Sequence, residues 1–391
     1  MAVTFADYLQ YMQDVGQGVS YTDLQPLAKF ELLNPDETIY ASFSAEVTGG
    51  TLNVNRANGV RRSCDISVQN IQDEFTPNPL TYWIGQKIKL SLGYEINGED
   101  YYIPQGVFGV SNPQLTHVKS QKEGSISGVD KFAFLNGQLG GRLAATYSFV
   151  VGSNIVDSMK AVLLESAVND PVLPFLMIDS AEVTPYTIYQ EYGKTFADVQ
   201  LELNSILSYN MYYSMGGRFT CEPDILNSLK PSQWDFRADS KIYLGIVENY
   251  NWDEAYNIVM VVGDNVNGNL ALGIARNDDP SSPISTFRIG EKLAPPIQDA
   301  VIDTDARAQD RANFEITRYA SLARDVVITS IPLFHLDVDQ IISVYDEDVD
   351  LHGDRFLINS LSIPLNPSNS GQTMTINATS ENDLDFVISN S

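Results

Sequence analysis

The first hydrophobic positions of the chain recur at the spacing of an α-helix. They follow Thr4, a residue type that caps helix N-termini, and they are Phe5, Tyr8, Leu9, Met12 and Val15. The pattern predicts a short amphipathic helix over residues 4–15 that packs on this protein or on a neighbour. Gly16 and Gly18 are expected to end it, so residues 1–30 are interpreted as an N-terminal helix or arm.

From about residue 28 the hydrophobic period changes to two, which is typical of β-strands. Alternating or β-branched segments lie at 28–33, 39–47, 64–71, 86–96, 101–110 and 124–129, with turn dipeptides at Asn58-Gly59, Asn97-Gly98 and Asn136-Gly137. Asn-Gly favours a type I′ turn because both residues tolerate positive φ. The clearest hairpin therefore runs from Ile88 through Asn97-Gly98 to Val110. Residues 31–149 are predicted to form a closed or nearly closed antiparallel β-barrel.

A mixed pattern begins near residue 150. Ser153 precedes a helical spacing of apolar residues, which predicts a serine-capped helix, and a second helix is predicted from Thr195. A connector with three prolines separates the two helices, and a tight hairpin turning at Gly216-Gly217 follows them. Residues 150–240 are therefore predicted to be a small α/β domain.

Strand patterns return after about residue 240. They lie at 240–250, 256–263, 270–275, 325–331, 340–345, 355–363 and 372–379, with one helix expected between Asp303 and Ala323. Residues 241–391 are predicted to be a second β-barrel-like domain with one helix. The fold class is thus β-rich α+β, with two antiparallel β-barrel-like domains and an intervening small α/β domain.

The 391 residues carry 50 Asp and Glu against 24 Lys and Arg, a formal net charge of −26. Such a surface repels phosphate backbones, so sequence-independent binding to nucleic acid is disfavoured. The acidity either keeps the protein soluble or lines a passage that DNA crosses without sticking. Composition leaves both interpretations open.

The N-terminal residues and the two cysteines indicate in which cellular compartment the protein is made. The first basic residue is Lys29 and there is no long apolar run, so we expect neither a signal peptide nor a membrane span. The two cysteines, Cys64 and Cys221, have no metal-binding or redox spacing and are expected to be buried thiols.

The sequence contains incomplete versions of two motifs, one of a phosphate loop and one of a hydrolase. Gly193-Lys194-Thr195 lacks the glycine of a phosphate loop, because Ile188 stands at that position, so a helix start capped by Thr195 is expected. In Gly124-Ser125-Ile126-Ser127-Gly128 an isoleucine replaces the nucleophile of a hydrolase elbow. The three histidines, His117, His335 and His352, are expected in exposed turns or strands. No catalytic, cofactor-binding or metal-ligating residue is assigned, and an enzyme is not expected.

The acidic stretch Asp346–Asp354 has the alternating carboxylates of a calcium loop. Leu351 stands where that loop needs glycine, and Leu357 stands where its bidentate glutamate belongs. Solvated hairpin acids are the expected outcome, with cation binding as the alternative. The tyrosines of 209–213 favour cross-strand packing over sugar stacking.

Residues 152–223 resemble the middle of phage tail hub, baseplate hub and tail-tip proteins. The resemblance rests on Gly152 before an amphipathic helix, on the Tyr192–Val199 helix start, and on the Gly216-Gly217-Arg218-Phe219 hairpin. Further along, Val261–Asn265, Asp278–Pro283 and the Leu336-Asp337-Val338-Asp339 turn are similar to the same group.

The resemblance implies a homotrimer in which two tail-tube-like barrels per subunit present six units to a hexameric tail tube. It implies a virion protein at the tail tip or baseplate, assembled in the host cytoplasm. Its partners would be the tail tube protein, distal tail or baseplate proteins, and a tail fibre or spike. DNA would pass through the lumen without specific binding. The alternative is a host-surface or carbohydrate-binding tail-tip protein.

Overall fold

The computed structural model describes most of the chain, and its helices and strands are bounded as follows. The described residues are 3–18, 24–43, 47–70, 73, 75–78, 85–118, 121–166, 175–207, 209–250, 252, 255–266, 269–282, 284–299, 302, 304–319, 324–366 and 371–380. They form five α-helices: α1 Phe5–Gln17, α2 Ile155–Ser166, α3 Phe196–Leu207, α4 Thr286–Ile289 and α5 Asp305–Tyr319. Short 3-10 helices lie at Lys131–Phe134, Asn227–Leu229 and Glu347–Val349.

The strands outnumber the helices and are spread along the whole chain. In the first part they are β1 Pro26–Leu33, β2 Ile39–Phe43, β3 Val47–Asn55, β4 Arg62–Gln69, β5 Lys87–Ile96, β6 Glu99–Val110, β7 Gln114–Val118 and β8 Gln121–Asp130. In the middle they are β9 Tyr147–Phe149, β10 Phe175–Met177, β11 Ile188–Gln190, β12 Tyr209–Tyr213 and β13 Phe219–Pro223. In the last part they are β14 Ser232–Arg237, β15 Tyr243–Tyr250, β16 Ile258–Val266, β17 Asn269–Arg276, β18 Ile297–Asp299, β19 Arg324–Ser330, β20 Ile341–Asp346, β21 Leu351–Pro364 and β22 Met374–Ser380.

The N-terminal helix is confirmed, and it packs on the protein itself. Thr4 and Asp7 form a capping box, in which each side chain accepts a hydrogen bond from the other residue's backbone N–H. Gly16 was expected to end α1 but lies inside it and is buried. A Cβ at Gly16 would lie 2.7 Å from Ser240 Oγ, so the glycine allows the helix to approach that serine closely.

Strands from both outer regions form one large sheet. Its 14 strands follow the main order β15-β19-β22-β21-β3-β4-β8-β6-β5-β1-β2, with β7 pairing with β8, β20 with β21, and β14 with β20. The β5–β6 hairpin turns at Asn97 and Gly98, which have φ angles of 54° and 81°, as the Asn-Gly pattern predicts. The β-rich α+β class is confirmed.

The two outer regions are continuous through the ladder between β3 and β21. Asn55 pairs with Ser360 and Thr51 with Pro364, while other parts of the long β21 pair with β20 and β22. Among the described residues no ladder closes a sheet into a barrel. The closure expected for 31–149 is therefore not seen in that part of the chain.

The middle of the chain packs two helices beside a small sheet, as predicted. Thr195 caps α3 in a second capping box, with Asp198 N–H donating to Thr195 Oγ1 at 3.1 Å and Thr195 N–H donating to Asp198 at 2.8 Å. The serine cap expected for α2 is wrong. Asn154 provides the cap instead, since its Oδ1 accepts from Asp157 N–H at 3.0 Å.

The Asn58-Gly59 pair joins β3 to β4 but also contacts the middle region. Asn58 Oδ1 accepts a hydrogen bond from Met211 N–H at 2.9 Å, and Gly59 N–H donates to Met211 O at 3.0 Å. A turn that the sequence pattern assigns to a hairpin thus fastens the first region to β12.

Another small sheet is separate from the large one. Strands β16, β17 and β18 form it, and α5 packs across β16 and β17. Ala308, Ala312 and Ile316 of α5 are buried there. The helix lies within the predicted range from Asp303 to Ala323, of which residues 320–323 are outside the described part. A Cβ at Gly273 would lie 2.2 Å from the Ala308 carbonyl group, so only glycine fits below α5.

This arrangement forms three hydrophobic cores among the described residues. The largest combines α1 with strands from both outer regions, the second lies within residues 132–221, and the third lies within residues 259–316. Cys64 and Cys221 are free and buried, as expected. No helix in the described part of the chain is long and apolar enough to cross a membrane.

Candidate functional site

The three regions meet around the loop of residues 331–340, which we call the central loop. It joins β19 to β20 and buries its apolar side chains Ile331, Leu333, Phe334, Leu336 and Val338 in the largest core. Side chains from distant elements hold its backbone. Tyr94 OH donates to Pro332 O at 2.9 Å, and Gln105 Nε2 donates to Phe334 O at 2.8 Å. The loop is therefore fixed by strands about 230 residues away in sequence.

The N-terminal helix contacts the same loop through one tyrosine. The hydroxyl oxygen of Tyr8 accepts a hydrogen bond from Phe334 N–H at 3.1 Å and lies 3.4 Å from His335 Nδ1. Phe5, Tyr8 and Trp234 surround the imidazole, and burial lowers the pKa of His335 to about 4. The expectation of an exposed histidine is wrong at His335, because the α1 helix and β14 cover it.

A cluster of arginines and aspartates lies at the C-terminal end of the central loop, and we call it the arginine clamp. Arg62, with only 1% of its side chain exposed, pairs with Asp337. Asp339 pairs with Arg56 and, at 2.7 Å, with Arg61. The clamp joins the β3–β4 connection to the turn before β20.

The arginine clamp also reaches the middle region. The Arg61 guanidinium lies 3.8 Å from the ring centroid of Tyr212 in β12, a cation–π contact. Arg56 is 3.8 Å from Asp224, just after β13. One set of charged side chains thus contacts all three regions.

A buried aspartate supports the backbone of the clamp. Asp130 accepts hydrogen bonds from Arg61 N–H at 2.7 Å and Arg62 N–H at 3.0 Å. It also accepts one from Phe132 N–H at 3.0 Å, which caps the 3-10 helix that leads into the middle region. Burial raises the pKa of the Asp130 carboxyl to about 6, although these donors act in the opposite direction.

A second buried ionic group ties the β1–β2 turn to the start of the middle region. Glu37 accepts from Lys87 Nζ at 3.2 Å and also from Lys131 Nζ. Lys131 is almost fully buried and lies 5.4 Å from the ring centroid of Tyr213. Burying a charge costs less when the charge is paired, and Glu37 supplies a partner to both lysines.

The remaining motifs from the sequence have structural roles. Thr195 caps α3, so the phosphate-loop interpretation is replaced by the expected helix start. Ile126 is buried within β8, and His117 in β7 and His352 in β21 are exposed. Among the described residues, no hydrogen bond joins any of these residues to another one of them in a catalytic arrangement.

The acidic turn of residues 346–354 uses its carboxylates locally. Asp346 accepts from Tyr243 OH at 2.8 Å and caps the 3-10 helix at Asp348 N–H. Asp354 pairs with Arg324 at 2.8 Å, and Asp350 lies 3.0 Å from His352 Nε2. Among the described residues no group of three or more His, Cys, Asp or Glu is arranged to hold a metal ion.

Apolar side chains are exposed at several places, and two groups among them were not singled out by the sequence pattern. Trp252, Phe287 and Tyr192 are largely exposed in loops or short helices. Others lie on strands at the ends of the large sheet, namely Ile39, Tyr40, Leu244 and Val247. Single exposed apolar residues are normal on folded proteins, whereas contiguous apolar patches mark contacts with partners.

Comparison with known proteins gives matches among solved structures. No family model and no curated protein matches the sequence. The fold is similar to a tail protein from Neisseria meningitidis MC58, with 12% identity, a TM-score of 0.63, and coverage of 90% of this chain and 96% of that chain. It is similar to the 43 kDa tail protein of prophage MuSo2 from Shewanella oneidensis, with 12% identity, a TM-score of 0.62, and coverage of 92% and 99%.

The Francisella PdpA–VgrG complex in its half-lidded form also contains a similar fold. The match has 10% identity and a TM-score of 0.54, and it covers 96% of this chain but 61% of that chain. At these identities the likeness concerns the fold. The predicted resemblance to the phage tail hub and tail-tip group is confirmed in that sense, since the chain shares the fold of phage tail proteins.

Proposed function

We propose that this chain is a structural hub, or adaptor, at the distal end of a phage-type tail tube. The observation that carries the proposal is the fold shared with two tail proteins over at least nine-tenths of each chain. Because nearly the whole length is involved, the proposal concerns the complete architecture and not one module. It requires no catalytic centre.

The buried connections suit a subunit that transmits load. The central loop and the arginine clamp fasten the first, middle and last regions to one another. A ring that closes a tube must keep its domains in fixed orientations, and buried ion pairs are one means of specifying a single arrangement. The clamp thus supports a rigid adaptor.

We assign a homotrimer to this adaptor. In it, barrel-like domains at 31–149 and 241–391 alternate around the ring, with the α/β domain of 150–240 between them in sequence. The continuous sheet through β3 and β21 supports the neighbouring placement of the two. Three copies present six units to the tail tube protein above, and baseplate proteins and a fibre or spike bind below.

The excess of acidic residues fits a conduit for DNA. With a net charge of −26, acids that face the axis repel phosphates and let the genome pass during ejection. The protein then acts as part of the virion, at the tail tip, after assembly in the host cytoplasm.

The test is the mass and symmetry of the purified protein. Light scattering gives the mass, and electron-microscopic class averages give the symmetry. The hub proposal expects three copies in a closed ring with six similar lobes. A stable dimer that excludes threefold packing contradicts it.

A second candidate is a host-surface or carbohydrate-binding role at the tail tip. It is favoured by the largely exposed aromatic rings of Trp252 and Phe287, since exposed rings can stack on sugars. A glycan array distinguishes the two candidates. Binding that is lost in Trp252→Ala and Phe287→Ala, with the fold retained, supports this role, and no binding to any glycan contradicts it.

A further inference from the structure

The small sheet of β16, β17 and β18 is covered by α5 on one face. Side chains on that face are buried in the third core, as Ala271 and Ala275 of β17 show. Because successive side chains of a strand point to opposite faces, the residues that alternate with them lie on the other face. In β17 these residues are Leu270, Leu272 and Ile274, and their side chains are 60%, 46% and 45% exposed. The second face of the small sheet is therefore open to solvent in the described part of the chain.

This second face is apolar across both long strands. Leu272 pairs with Val262 and Ile274 pairs with Met260, so neighbouring side chains on the face are apolar too. An antiparallel strand with one face in water normally alternates apolar and polar residues. At positions 270–275, β17 carries only apolar residues and glycine, which is the pattern of a strand covered on both faces. We call this surface the open face, and its members are Met260, Val262, Leu270, Leu272 and Ile274.

The chain has an apolar segment of its own after β22. Residues 381–391 follow that strand and lie outside the part of the chain that the structure describes. The apolar residues among them are close together in sequence, and they are Leu384, Phe386, Val387 and Ile388. Contiguous apolar surfaces mark contacts, so the open face and this segment each call for a partner.

The segment starts at the point where the small sheet joins the large one. In sequence the small sheet lies between β15 and β19, and Tyr250 at the end of β15 pairs with Arg324 at the start of β19. Arg324 N–H donates to Ser380 Oγ at 3.1 Å, so β22 ends beside the same pair. Ser380 is therefore two strands, or about 10 Å, from Tyr250.

The segment is also long enough to reach the open face. Ile388 follows Ser380 by as many residues as the start of β16 follows Tyr250. The connection from Tyr250 contains a turn, in which Ala255 N–H donates to Trp252 O at 3.4 Å, so it spans less than its full length. An extended chain advances about 3.3 Å per residue, which leaves the segment enough length to cross the additional two strands.

We propose that residues 384–388 dock on the open face of the same chain and add a third connection between the small sheet and the large one. The first two connections are the chain segments that follow Tyr250 and precede Arg324. A segment tethered at the junction has a high effective concentration at this face, which favours it over the same segment of another copy. The proposal goes beyond the hub function and does not depend on it.

The test is cross-linking within the full-length chain. Leu272→Cys and Phe386→Cys are combined in one chain and treated with a short bis-maleimide, while the native Cys64 and Cys221 are buried. We expect a cross-link inside the monomer, identified by mass mapping of the joined peptides. In the control, Asp310→Cys replaces Leu272→Cys, because Asp310 is exposed on α5, which covers the opposite face. The control pair should give a yield at least about tenfold lower.

Equal yields from the two cysteine pairs overturn the proposal. It is also overturned if the cross-link joins only different chains, which a mixture of two differently tagged single-cysteine variants reveals and which assigns the open face to a second copy. Independently, Phe386→Asp in the Leu272→Cys background should accelerate maleimide labelling of the introduced thiol at least about tenfold, with unchanged circular dichroism. Labelling of Asp310→Cys should be unaffected by Phe386→Asp. An unchanged labelling rate at position 272 contradicts the docking.

Discussion

The arginine clamp gives the sharpest stability prediction, through the substitution Asp337→Asn. The change removes the charge that pairs with Arg62 and leaves a guanidinium with 1% exposure of its side chain. Breaking a buried pair in this way costs about 3–5 kcal/mol, because the remaining charge is neither solvated nor compensated. Asp130 also attracts Arg62, so we expect the lower end, about 3 kcal/mol.

Native-state hydrogen exchange measures this loss where it arises. A chain with three cores need not unfold in one step, so local protection is more informative than one global transition. A loss of about 3 kcal/mol accelerates exchange in β4 and the central loop by a factor of roughly 150. Asp350→Asn is the control, since its pair with His352 is at the surface and is worth at most about 1 kcal/mol.

A double variant distinguishes the effect of losing the ion pair from the effect of changing the shape of the two side chains. Arg62→Met combined with Asp337→Leu removes both charges and keeps side chains of similar size, and such replacements of buried pairs are often neutral. We expect exchange rates much closer to wild type than in Asp337→Asn. The reasoning is refuted if Asp337→Asn and Asp350→Asn have equal effects, or if the double variant is less stable than Asp337→Asn.

Three further predictions concern single positions. Burial lowers the pKa of His335 to about 4 in the folded state. As the pH falls, the histidine is therefore protonated in the unfolded state first. The contribution of His335 to stability is constant above pH 6.5 and falls by about 3 kcal/mol between pH 6.5 and 4; in urea titrations, the difference in unfolding free energy between wild type and His335→Phe should change by this amount over that window, and a difference independent of pH would contradict it. Gly273→Ala forces its methyl group onto the Ala308 carbonyl and should cost about 1–3 kcal/mol in urea unfolding; a neutral result would contradict the close approach. Thr195→Ala removes a cap and should cost about 1 kcal/mol, with faster exchange confined to α3; unchanged exchange there would contradict the capping role.

Local rules predicted much of the fold from the sequence. The caps at Thr4 and Thr195 and the turn at Asn97-Gly98 each depend on a few neighbouring residues, and all three are confirmed. The Ser153 prediction failed by one position, because Asn154 caps helices equally well and only the backbone geometry decides between them.

Features that depend on distant residues were not predictable. Arg62 and Asp337 are separated by 275 positions, and no sequence pattern pairs them, although the Asp-Val-Asp turn was noted for its resemblance. His335 looked like a surface residue because neither Tyr8 nor Trp234 is near it in sequence. The single sheet through β3 and β21 likewise depends on a pairing between chain segments about 300 residues apart.

A reconstruction of the particle that carries this chain tests the central claim most directly. The account predicts three copies in one closed ring at the distal end of the tail tube, with acidic side chains facing the axial passage. It would be contradicted by a chain that is absent from the tail tip, or present there without threefold symmetry. A neutral or basic passage through a threefold ring would contradict only the proposed conduit for DNA and would leave the hub proposal standing.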